Sequence, residues 1–100
     1  MSGQTSQAAD DAIRREVEGH RFDLISLRGP SLGERATPRI WYDLDGALVD
    51  PGAVTRGKGR WSVDRIARIR FRDGSIREVR VRATGADAYV QSLLVDAPLR

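Results

Sequence analysis

The chain has 100 residues, 40% of them hydrophobic, with no cysteine and a formal net charge of +3. That composition suits one soluble α+β domain with a modest core, and it excludes disulfides, zinc–thiolate sites and thiol catalysis. Sixteen of the seventeen basic residues are arginine, but fourteen acids dilute them, so total charge alone does not point to nucleic acid.

Residues 1–6 are small and polar and read as a flexible N-terminus ahead of a single domain over 7–100. This opening stretch has no basic or apolar part of a secretory signal. The longest plainly apolar run, Leu93-Leu94-Val95, is far below the ~20 residues of a membrane span. No membrane contact is expected, and cytoplasmic residence is.

A short helix is expected from about Gln7 to Glu18. Ser6 can cap it, and Asp10 and Asp11 fall in its first turn, where the helix dipole favours acids. Ala9, Ile13 and Val17 form a narrow apolar stripe that must dock on the core or on a partner. Gly19 is a natural stop. In the next segment, HRFDLISLR, Phe22 and Leu24 alternate, and then Ile25 and Leu27 fall on the opposite phase. A strand with a bulge, or one buried on both faces, explains that change. Residues 29–38 read as a Gly/Pro loop.

The stretch IWYDLDGALVDP resembles the first motif of the haloacid dehalogenase-like phosphotransferases. That resemblance implies Asp43 as nucleophile, Asp45 as general acid and base, and a bound Mg2+. The family also needs later motif residues on successive parallel strands, whereas the segment that follows here reads as an antiparallel hairpin. A hairpin explains the same letters with less. With Asp45-Gly46 as a two-residue turn, Leu44 faces Ala47, Tyr42 faces Val49 and Ile40 faces Pro51.

Residues 52–60 read as a second loop. WSVDRIARIRF and SIREVRVRA then flank Asp73-Gly74. With Gly74 left-handed as the third loop residue, Phe71 pairs with Ser75, Ile69 with Arg77 and Ala67 with Val79. Odd positions Trp61, Val63, Ala67, Ile69, Phe71, Val79 and Val81 then lie on the core face. Even positions Arg68, Arg70, Arg72, Arg80 and Arg82 share the other face with Ile66, Ile76 and Glu78. The final segment reads as a C-terminal helix over about 86–95. Thr84 caps it, and Ala86, Tyr89, Val90, Leu93 and Leu94 recur at helical spacing.

The expected architecture is α+β: an antiparallel, hairpin-built sheet of about five strands, twisted or partly rolled, with one helix at each end. The C-terminal helix is expected to cover the apolar face.

Candidate chemistry is sparse. His20 is the only histidine and has no motif partner. Arg56, Lys58 and Arg60 decorate a Gly-rich loop that is not a P-loop, since no Ser or Thr follows Lys58. Asp43, Asp50, Asp64, Asp73 and Glu34 show no spacing that singles out an acid–base pair. Arg68, Arg70, Arg72, Arg80 and Arg82, with Arg56, Lys58 and Arg60, are the candidate site for a polyanion or an acidic partner. No cofactor or metal is expected.

Three functions follow from this reading. The first is a non-catalytic protein-interaction or assembly subunit that binds a protein partner or itself. The second is a nucleic-acid-binding accessory protein using the Arg face. The third is a small enzyme with a pocket around Trp41, Trp61 and His20 in a curved sheet.

Overall fold

The structure, a computed structural model, describes residues 2–31, 40–49 and 61–96, with side chains from residue 7 onward. Helix α1 (Ser2–Gly19) is followed by strands β1 (Asp23–Arg28), β2 (Trp61–Arg70), β3 (Ile76–Ala86) and β4 (Tyr89–Val95). The strands form one antiparallel sheet in the order β1-β2-β3-β4. The α+β class and the antiparallel sheet are as expected; among the described residues the sheet has four strands, against about five expected. Residues 40–49 form a short hairpin that meets the sheet through an isolated bridge between Tyr42 and Val95.

The expected C-terminal helix is replaced by β4. Strand β3 runs on to Ala86, and a two-residue loop turns the chain back, with Asp87 at φ 53 and Ala86 facing Tyr89. Thr84, expected to cap a helix, is a strand residue opposite Ser92. Burial on both faces is what hides β4 in the sequence. Leu93 and Val95 are buried in the main core, and Leu94, of opposite phase, is buried outside it.

The helix that covers the sheet is therefore α1, which touches β4, β1 and β2. Its stripe is fully buried: Ala9, Ala12, Ile13 and Val17 join Leu24, Ala67, Ile69, Val79, Val81, Leu93 and Val95 in one core cluster. Burying Ile13 and Val17 contributes about 1.5–3 kcal/mol each, which the helix could not supply from propensity alone. Because α1 begins at Ser2, Ser6 is an interior position rather than the cap, and Asp10 lies well past the first turn. Asp10 instead accepts from Arg65 Nε of β2 at 2.8 Å.

The end of α1 is a Schellman motif. Phe22 N–H donates to the Val17 carbonyl at 3.3 Å and Arg21 N–H to the Glu18 carbonyl at 3.0 Å. The left-handed residue is Arg21 (φ 68), two positions beyond the glycine expected to stop the helix. Val17 and Phe22 are both buried in the core, which is the hydrophobic contact that accompanies this motif.

The change of phase in β1 is a bulge. Leu24 faces Ile69, Ser26 faces Arg68, and Ile25 is the extra residue between them. Leu24 and Leu27 thereby both reach the core, while Ile25 is exposed.

The β2–β3 hairpin has the expected register, with Ile69 opposite Arg77 and Ala67 opposite Val79. Its turn closes with Phe71 N–H to the Ser75 carbonyl and Gly74 N–H to the Phe71 carbonyl, with Gly74 at φ 86. The 40–49 hairpin has the same form, one residue away from the expected pairing. Tyr42 bridges Leu48 rather than facing Val49, Asp43 N–H donates to the Ala47 carbonyl, and Gly46 (φ 89) donates to the Asp43 carbonyl. Its loop is therefore the three residues Leu44, Asp45 and Gly46.

Candidate functional site

Residues of the two central strands alternate between two surfaces. On the α1 side lies the core; on the other lie the arginines singled out by the sequence. The ladder places acids among them. Asp23 of β1 is opposite Arg70, Glu78 opposite Arg68, and Asp64 opposite Arg82. Arg82 donates to Asp64 from both Nε (3.0 Å) and an Nη (3.4 Å), and its guanidinium lies 4.9 Å from the Trp41 ring centroid. Arg80 is 3.8 Å from Asp96, and Arg28 is 3.8 Å from Glu78.

Arg28, Arg68, Arg70, Arg80 and Arg82 therefore share this face with Asp23, Asp64, Glu78 and Asp96, and the face is close to neutral. Arg72 leaves it altogether: its guanidinium stacks 4.9 Å from the Phe22 ring centroid and donates to the His20 carbonyl. Arg68 and Arg70 stay exposed and close no ion pair among the described residues. Arg56, Lys58 and Arg60, with Glu34 and Asp50, lie outside the described residues.

The structure brings together a different set of side chains. A cleft of about 270 Å³ opens where the end of α1, the 40–49 hairpin and β4 meet. Glu16 and His20 come from α1, and Asp43, Leu44, Asp45 and Val49 from the hairpin. Its floor is Gln91, Ser92, Leu93 and Leu94 of β4. His20 is held by its own helix, with Nδ1 3.0 Å from the Glu16 carbonyl and 3.8 Å from the Glu16 carboxylate. Asp43 Oδ1 accepts from the N–H groups of Asp45 and Ala47, both at 2.9 Å. Asp45 is exposed at the rim, and the buried Ser92 hydroxyl has no hydrogen-bond partner.

This geometry does not assemble the expected chemistries. Asp43 caps its own turn, and its hairpin is antiparallel, so among the described residues the phosphotransferase-like reading of the Asp43–Asp45 pair has no parallel strand to stand on. No group of three or more His, Cys, Asp or Glu side chains among the described residues could hold a metal ion. Trp41, Trp61 and His20 do not meet. Trp61 is buried in the α1-side core and donates from Nε1 to the Asp87 carbonyl, while Trp41 stacks on Arg82 across the sheet.

Sequence reasoning missed the cleft because its acids come from two segments that only the fold joins. No helix among the described residues is long and apolar enough to cross a membrane. Compared with protein-family models, curated proteins and solved structures, the chain matches none.

Proposed function

We propose that this chain is a non-catalytic assembly subunit, resident in the cytoplasm, that associates with copies of itself through the 40–49 hairpin. The observation that carries the reading is the exposure of large apolar side chains there: Leu48 is 72% exposed and Ile40 48%. Leu48 is the bridge partner of Tyr42, and Ile40 lies two residues before Tyr42 on the same side of the strand. Two such side chains flanking one partly buried tyrosine are costly to leave in water and are the kind of feature an interface covers.

The nucleic-acid reading has less in its favour, since each arginine of the sheet face has an acid opposite or beside it. The enzyme reading has His20 in a cleft but neither tryptophan beside it.

Light scattering across roughly 1 µM to 1 mM, the range of weak to moderate association, tests the proposal. The mass of the wild-type chain should rise with concentration, and that of the Ile40→Ser, Leu48→Ser double variant should not. A wild-type chain that stays monomeric over the whole range would overturn the reading.

A further inference from the structure

The cleft and the arginine face carry groups of opposite charge that close no Arg–carboxylate ion pair among the described residues. Glu16, Asp43 and Asp45 line the cleft, and among the described residues no Arg or Lys forms an ion pair with them. On the far side of the sheet, Arg68 and Arg70 are exposed. Both surfaces have an apolar border: Leu48 and Ile40 on the cleft's hairpin, Ile25 and Ile76 around the two arginines. One chain cannot join them itself, since the arginines point away from α1 and two of the cleft's acid-bearing walls belong to α1 and the hairpin.

We propose that the two surfaces dock head to tail between copies of this chain, with Arg68 and Arg70 of one copy entering the acidic cleft of the next. The proposal rests on the reading of the chain as a self-assembling subunit and names the second half of that interface. A guanidinium offers up to five N–H donors in a planar fork, suited to several carboxylate oxygens at once. The aliphatic stem can lie along Leu44 and Leu93 while the isoleucine border meets Leu48. Such a contact is heterologous: it uses different patches on the two partners and propagates unless its rotation closes a ring. It also explains why the arginine face can be nearly neutral in total and still bind, because only two of its arginines lack an ion pair.

Two variants separate the halves. Arg68→Glu with Arg70→Glu removes the inserted charges and leaves the cleft. Glu16→Gln with Asp45→Asn neutralises the cleft and leaves the arginines; Asp43 is kept because it caps its turn. Each variant alone should associate about tenfold or more weakly than wild type, and wild-type association should weaken with added salt. An equimolar mixture should recover association by light scattering, in pairs, because one variant retains the cleft and the other the arginines.

Either variant associating like the wild type, with its circular dichroism unchanged, would overturn the docking. So would a mixture that stays monomeric. Loss of association in the Ile40→Ser, Leu48→Ser variant but not in these two would leave the hairpin reading standing and remove this one alone. A wild-type chain that never associates would remove both.

Discussion

Trp61 of β2 lies directly over Gly85 of β3, its partner in the ladder. A Cβ on residue 85 would collide with the indole ring and with the Tyr89 carbonyl oxygen, closer than side chains ever pack. The indole is pinned there by its Nε1 bond to the Asp87 carbonyl at 3.1 Å. The glycine is therefore a packing requirement, in which an aromatic ring fills the place its missing side chain leaves. Gly85→Ala should destabilise the fold by about 1–3 kcal/mol, the usual range for overpacking. Adding Trp61→Leu should remove only the indole's share of that loss, because the clash with the Tyr89 carbonyl remains. Equal losses with and without the indole, by urea denaturation, would refute the contact.

The turn at the other end of β2–β3 is sensitive to acid. Asp73 is held below its ordinary pKa chiefly by the Ser75 hydroxyl, at 2.6 Å, and then by the Ser75 N–H, at 2.9 Å. A lowered folded pKa means the bond contributes stability above the unfolded value and loses it as pH falls through the folded one. The loss should therefore be confined to pH below ~4. Ser75→Ala should move the Asp73 carboxyl resonance titration upward in pH. An unchanged titration would mean the hydroxyl is not the cause.

Both Asp-Gly turns take one form, although only one of them shows it in the sequence. In FRDGS the apolar alternation of two long strands leaves a single register, and the pairing is legible to the residue. In DLDGA the flanking strands are short, and a two-residue turn satisfies the alternation just as well. What selects the three-residue loop is Asp43, whose carboxylate accepts from the N–H of Asp45 inside it and from that of Ala47, which closes it. A side chain at Gly74 (φ 86) would meet only open space, so backbone strain alone opposes substitution there. Gly74→Ala should cost about 1–2 kcal/mol, and a D-alanine there, made by chemical ligation, should cost nothing. A loss with D-alanine equal to that with L-alanine would exclude a left-handed turn.

Residues 86–95 show why a periodic pattern can mislead. Tyr89, Val90, Leu93 and Leu94 suit a helical stripe, but they equally suit a strand buried on both faces, where period two disappears. The edge of β3 decided the outcome, since a paired β4 satisfies its backbone groups. Leu93→Ala and Leu94→Ala should each destabilise by about 2–5 kcal/mol, although the two side chains lie on opposite faces. A neutral Leu94→Ala would mean that the second face is not closed. The charge pattern was half legible for a related reason. Sequence placed the arginines on one face, but the compensating Asp23 and Asp96 come from elements whose register only the sheet reveals.

Arg82 ties that second face together, and its two partners can be weighed against each other. On one side is Asp64, bonded at 3.0 Å but itself half exposed. On the other is the buried Trp41 ring. An ion pair open to water contributes less than about 1 kcal/mol, because screening and side-chain entropy offset its attraction. Stacking of a guanidinium on a tryptophan contributes about 0.5–2 kcal/mol, more where water is excluded. Double-mutant cycles should therefore give a larger coupling for Arg82→Ala with Trp41→Leu than for Arg82→Ala with Asp64→Ala. Salt should reduce the second coupling and leave the first almost unchanged. Arg82→Lys, which keeps the charge but loses the planar stacking surface, should lose most of the tryptophan coupling and shift Trp41 emission to the red. If the aspartate coupling proves the larger, or Lys replaces Arg without loss, then charge and not stacking holds Trp41 on the sheet.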